Sequence, residues 1–143
     1  MKAKRPLSVT ILAAGVLSVA VVFGTQAYQT LRQWRFLQSL PLSVSPVYLL
    51  GAGIVWAAAG LYIAVSLWRG LGIAPKATQI AAWAFAGYYW LDRLAFASSP
   101  LTQTNQPFAL GATITAIVLI YWTLTRPKAR AFFGEVHERK SEN

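Results

Sequence analysis

Four long apolar runs joined by short polar segments constrain this chain more than any other feature. Residues 7–24 read LSVTILAAGVLSVAVVFG, residues 47–68 read VYLLGAGIVWAAAGLYIAVSLW and residues 108–125 read FALGATITAIVLIYWTLT, all without a charge. A hydrocarbon core of about 30 Å takes roughly 20 helical residues, at about 1.5 Å each. The third run, 77–91, is shorter, and reaches that length only by drawing in Asp92 and Arg93 and continuing to about Phe96. The expected fold class is an all-α membrane protein. It is a four-transmembrane-helix bundle over residues 1–126, with spans near 7–24, 47–68, 77–96 and 108–125 and a basic tail over 127–143. Four spans in 143 residues leave only short joints, too small for a soluble domain of useful size.

Proline placement agrees with four helices. Pro6, Pro46, Pro75 and Pro107 stand at or just before the start of a run. There the missing N–H costs nothing, because first-turn amides have no intrahelical partner. Ser45 is a candidate N-cap. Pro41, Pro100 and Pro127 are assigned to joints, and no span holds an internal proline.

The net charge of +9 reports orientation before it reports a partner. Ten basic residues precede span 1, separate spans 2 and 3 or follow span 4, whereas Arg32, Arg35 and Arg93 stand on the other side. The positive-inside rule then puts both termini in the cytoplasm, with residues 25–46 and 97–106 outside. The expected surroundings are the lipid bilayer of the cytoplasmic (plasma) membrane, and no nucleic acid. A rival topology treats residues 1–27 as a signal peptide ending at Thr25-Gln26-Ala27, which leaves three spans of unchanged orientation. The absence of cysteine excludes disulfide frameworks, thiol redox chemistry and thiolate metal sites.

Lipid tails are as apolar as leucine, so membrane helices associate through close packing of small residues and through polar contacts. Gly53, Ala57, Gly60 and Ala64 recur at spacings of 4, 3 and 4, one face of a helix. Ala13, Ala20, Gly24 and Ala27 form a similar stripe in span 1, and span 3 is rich in alanine around Gly87. The simple reading is packing inside the bundle; the sharper one is a homodimer seam on the span 2 face. A bulky residue at Gly60 is expected to disturb packing, and a change at Ile63 to matter less if Ile63 faces lipid.

Aromatic residues gather near the expected interfaces, with Tyr28, Trp34, Tyr48, Tyr88, Tyr89 and Trp90 toward the outer side and Trp68, Tyr121 and Trp122 toward the inner side. This is the arrangement of aromatic belts. The joint TQAYQTLRQWRFLQSLPL spaces Ala27, Leu31, Trp34, Leu37 and Leu40 helically, so it extends span 1 or lies along the surface until Pro41 ends it. In the tail, Lys128 and Arg130 are expected to meet anionic headgroups while Phe132 and Phe133 insert, with a frayed end from Gly134.

Few groups are suited to chemistry. Of the four acids, Glu135, Glu138 and Glu142 lie in the tail and Asp92 alone approaches the membrane. Intramembrane ionisable groups are costly and are functional candidates by default. The candidate polar site is Asp92 with Tyr88, Tyr89 and Arg93 beside it and Arg32 or Arg35 as ion-pair partner. It serves either as a structural pair near the headgroups or as a proton or cation site. His137 is the single histidine and has no second ligand at metal spacing, so neither a metal site nor bis-histidine haem ligation is expected. Nucleophile–base pairs, paired carboxylates and phosphate-cradling glycine loops are missing, so no enzyme, no catalytic residue and no cofactor is expected. The joint SSPLTQTNQP reads as a turn, and Asn105 is followed by Gln106 and Pro107, which is no glycosylation acceptor.

The opening RPLSVTILA and the ending TRPKARAFFG resemble small four-span bacterial integral membrane proteins to which no activity is assigned. The resemblance implies a four-helix bundle and nothing about activity. Quinone-linked disulfide enzymes need cysteines, and small multidrug exporters carry a glutamate in the first span; this chain has neither. The leading expectation is a non-catalytic accessory, assembly or structural subunit, in a larger membrane complex or with itself. The alternative is a small homo-oligomeric transporter or channel using Asp92.

Overall fold

The computed structural model of the chain describes residues 6–41, 44–96 and 105–141, with side chains to residue 134 in the last stretch. Among these the chain is almost wholly helical and has no strand. The elements are α1 (Leu7–Arg32), α2 (Trp34–Ser39), α3 (Pro46–Arg69), α4 (Ala74–Phe96), α5 (Gln106–Thr125) and α6 (Pro127–Ser141). Three of them, α1, α3 and α5, are long and apolar enough to cross a membrane. The turn expected in the second outer joint lies, for residues 97–104, outside the described residues.

Local chemistry sets the helix ends. Ser45 caps α3: its Oγ accepts the Val47 N–H at 3.3 Å. Pro46 is the first residue of α3, and Pro75 and Pro107 are each the second of theirs. Leu40 is extended (φ −90°, ψ 142°), the conformation its neighbour Pro41 demands, and α2 stops there. Arg126 is likewise extended before Pro127, which opens α6 instead of lying in a joint. The end of α3 is a Schellman turn: the Leu71 N–H reaches the Ser66 carbonyl at 3.0 Å and the Gly70 N–H the Leu67 carbonyl at 3.3 Å. Gly70 has φ +69°, a left-handed conformation that suits a residue without a Cβ.

The first joint is more helical than its polarity implies. α1 continues eight residues past the apolar run, through Thr25-Gln26-Ala27, and breaks at Gln33 before the short α2. Residues 25–32 therefore extend the first helix, one of the two arrangements expected of this joint. Their hydroxyls are satisfied within the helix: Thr25 donates to the Val21 carbonyl at 2.8 Å and Thr30 to that of Gln26 at 2.9 Å. Ser18, Thr78, Thr113 and Thr125 do the same with carbonyls four residues back. Such bonds meet a hydroxyl's needs without water.

The chain divides into two compact units, one of residues 13–65 and one of the residues up to Leu12 with those from Ser66 onward. In the first, α1 and α3 pack through small residues. A Cβ placed on Gly53 would lie 3.0 Å from that of Ala27, and one on Gly60 only 2.9 Å from that of Ala20. Between them, a Cβ on Gly24 would lie 3.8 Å from that of Ala57. Seven residues back along α1 correspond to seven forward along α3, so the helices run antiparallel and meet at a seven-residue interval. Ala64 and Ile63 are both buried at 6% exposure, so Ile63 is no lipid-facing control. Large apolar residues of the same helices, among them Val21, Val22, Val55 and Leu61, are more than half exposed.

In the second unit α4 packs along α5 and α5 against α6. One cleft joins the end of α4 to the start of α5, and another joins the start of α4 to the end of α5, so these helices are antiparallel. At the second end α6 folds back. Ala129, Phe132 and Phe133 are buried, and the tip of the Phe132 ring comes within 2.7 Å of where a Gly70 Cβ would stand. This corrects the expected insertion of the two phenylalanines into lipid: the bare backbone of Gly70 offers Phe132 a seat in the protein. The phenylalanine rings stack edge to face at 5.3 Å.

Candidate functional site

The candidate polar residues of α4 occupy its last three turns. Asp92 and Arg93 are half-buried, as are Tyr88 and Tyr89. Four residues is just over one helical turn, which stacks Arg93 above Tyr89. The Arg93 Nη1 donates to the Tyr89 hydroxyl at 3.2 Å, and the guanidinium carbon lies 6.0 Å from the centre of that ring. Tyr89 also meets Trp90 edge-on at 6.0 Å, and Tyr88 meets Phe85 at 6.3 Å. Tyr89, one of the two tyrosines expected to share the side of Asp92, thus bonds the neighbouring arginine.

Arg93 and Tyr89 stand at the polar end of an apolar cleft of about 400 Å³ between α4 and α5. Its walls include Ala82, Ala86, Ala112 and Ala116, and its polar end Asn105. Small side chains keep the two helices from filling the space between them. Asp92 is not among the lining residues. Arg32 closes α1 and Arg35 is the second residue of α2; both are exposed and belong to the unit of residues 13–65, whereas Asp92 belongs to the other.

The packing residues Gly53, Ala57 and Gly60 face Ala27, Gly24 and Ala20 in turn. Gly51, at the start of α3, has nothing near it.

A second polar cluster was not singled out from sequence. Lys76 and Gln79 of α4, Tyr121 and Thr125 of α5 and Arg130 of α6 line one cavity of about 300 Å³. Lys76 and Arg130 lie 54 positions apart in sequence, so only the return of α6 brings them to one site. Next to it, the Arg126 guanidinium lies 3.7 Å from the centre of the Trp122 ring, a cation–π contact across one turn.

No group of three or more His, Cys, Asp or Glu side chains is placed to hold a metal among the described residues. The side chain of His137 lies outside them. Comparison with family models, with curated proteins and with solved structures gave no match.

Proposed function

We propose that the chain is a multi-pass protein of the cytoplasmic membrane, a four-transmembrane-helix bundle with both termini in the cytoplasm. It acts without catalysis, as an accessory, assembly or structural subunit. The observation that carries this reading is the inverted distribution of side chains. Alanine and glycine fill the α1–α3 contact, while Val22, Val55 and Leu61 there, and Ile80, Phe108 and Val118 of the other unit, are more than half exposed. In water so much exposed apolar surface marks a contact region; in a bilayer, lipid or a partner helix covers it. The intrahelical bonds of the threonine and serine hydroxyls support the same setting.

α4 serves as the fourth span. Its 23 residues extend about 34 Å. Lys76 falls in its first turn and Asp92 and Arg93 in its last two, where long side chains reach the headgroups. The ten-to-three basic asymmetry supports the orientation. An accessory role is supported by the grooves that α4 and α5 leave open, including one of about 590 Å³ beside Trp83, Gly87 and Ile114. A helix of a larger complex, or of a second copy, fits such a groove.

The second reading is a small homo-oligomeric transporter or channel using Asp92. The half-buried carboxylate, next to the Arg93 that lines the apolar cleft, supports it. Extraction of the tagged full chain in mild detergent distinguishes the two. Stoichiometric recovery with one larger membrane assembly supports the accessory role. A stable homodimer that carries a cation flux dependent on Asp92 replaces it with transport.

A further inference from the structure

We propose that the cavity between α4, α5 and α6 binds the phosphate of an anionic phospholipid, with Lys76 and Arg130 as its two cationic contacts. This rests on the membrane reading above and names a ligand for a place that reading leaves empty. The cavity is an open groove of about 300 Å³ lined by four donor-bearing residues, Gln79 and the exposed Lys76, Tyr121 and Arg130. Thr125 contributes no donor, because its hydroxyl proton is committed to the Tyr121 carbonyl at 2.9 Å. Among the described lining residues none is acidic, so the site carries two positive charges uncompensated from within its own wall. Asp92 lies sixteen residues along α4, about 24 Å away. The start of α4 adds the positive end of a helix dipole.

The remaining walls determine the source of the phosphate. Pro75, Leu124 and Phe133 make one side apolar, and Phe133 is buried at 5% exposure. The site lies where α5 ends and α4 begins, beside Tyr121 and Trp122, the level at which helices leave the hydrocarbon for the headgroups. A free phosphate gains nothing from an apolar wall. A phospholipid sets its diester between Lys76 and Arg130, its glycerol against Leu124 and Phe133, and its chains along exposed α5. Basic pockets between helices at this depth suit anionic headgroups.

The test is native mass spectrometry of the purified full chain in mild detergent, titrated with phosphatidylglycerol or with phosphatidylcholine of equal chain length. Wild type retains one phosphatidylglycerol in preference to phosphatidylcholine. Lys76→Gln and Arg130→Gln each lower that retention about five-fold, the double variant about twenty-five-fold. Lys76→Arg keeps the preference, and circular dichroism confirms unchanged helix content in every variant. Arg69→Gln removes the same charge outside the cavity and leaves retention within about two-fold. An unaltered preference in the double variant, or an equal loss in Arg69→Gln, overturns the site. Competition by millimolar inorganic phosphate as effective as that of the lipid overturns the lipid as its source. A chain recovered from the soluble fraction overturns the membrane reading itself, whereas a membrane-bound chain without the preference overturns only the site.

Discussion

The Cβ of Ala20 stands 2.9 Å from the point that a Cβ on Gly60 would occupy. Real Cβ atoms do not come so close, and neither position offers a flexible side chain that can swing away. Contact between α1 and α3 at this level therefore requires glycine on one side and a residue no larger than alanine on the other.

Gly60→Ala is expected to lower the thermal midpoint of the purified chain in detergent, and Gly60→Leu to lower it further, by about 1–3 kcal/mol of overpacking. Ala20→Gly introduced into Gly60→Ala restores part of the loss. Gly87 and Gly111 also lie within helices but have nothing near their missing Cβ. Gly87→Ala and Gly111→Ala therefore leave stability unchanged or raise it by about 0.5–1 kcal/mol. Equal melting of wild type and Gly60→Leu removes the packing claim.

Gly70 combines two constraints that a double variant separates. Its φ of +69° disfavours any side chain, and its missing Cβ makes room for Phe132, which is 8% exposed and has little freedom to retreat. Gly70→Ala should destabilise through both. In a Phe132→Ala background the steric part vanishes and only the left-handed conformation remains, at about 1–2 kcal/mol. A smaller melting shift for Gly70→Ala in that background than in wild type checks the contact; equal shifts dissolve it.

Asp92 and Tyr89 distinguish structure from transport. Tyr89→Phe removes one acceptor of Arg93 and is expected to cost about 1 kcal/mol. If the polar end of α4 is structural, Asp92→Asn also lowers the melting midpoint and changes no flux. If it is a cation site, Asp92→Asn leaves melting intact and abolishes cation flux in proteoliposomes. Flux that persists in Asp92→Asn eliminates the transport reading as stated.

Orientation is checked by reporter fusions at Asn143, Gly72 and Gln103. The basic asymmetry predicts cytoplasmic signals at the first two and an external signal at Gln103. An external reporter at Asn143 reverses the orientation and moves the Lys76–Arg130 cavity to the other leaflet. Recovery of Met1 in the membrane-bound chain removes the signal-peptide topology.

Helix existence was legible wherever a local rule sufficed. The Ser45-Pro46 start of α3 is an N-cap followed by a first-turn proline, and both readings rest on adjacent residues. Partners were not legible. The glycine–alanine face of α3 can be read from spacing, but its registration of Gly60 on Ala20 depends on how α1 docks. The extension of α1 to Arg32 was one of two arrangements that the helical spacing of Ala27 and Leu31 allowed; what spacing left open was whether the segment continues span 1 or lies along the surface. Phe132 was assigned to lipid because its seat, Gly70, has no side chain to mark it. One signal for that seat was present: a glycine directly after a helix that ends in Arg69 marks a left-handed cap. Lys76 and Arg130 meet only through tertiary structure, and nothing in the spacing of either one announces the other.

The contact of Phe132 with Gly70 also sets an order in time. The joint after α3 is made early in synthesis, but the ring that covers it belongs to a segment made some sixty residues later. Domains and hairpins assemble as they emerge, N-terminal parts first. The α1–α3 hairpin can therefore close while the Gly70 turn is still bare, and that turn is sealed only after α5 has been made. A chain interrupted before Phe132 would carry a finished first hairpin and an open seam at its neighbouring joint, a difference a protease or a chaperone can recognise.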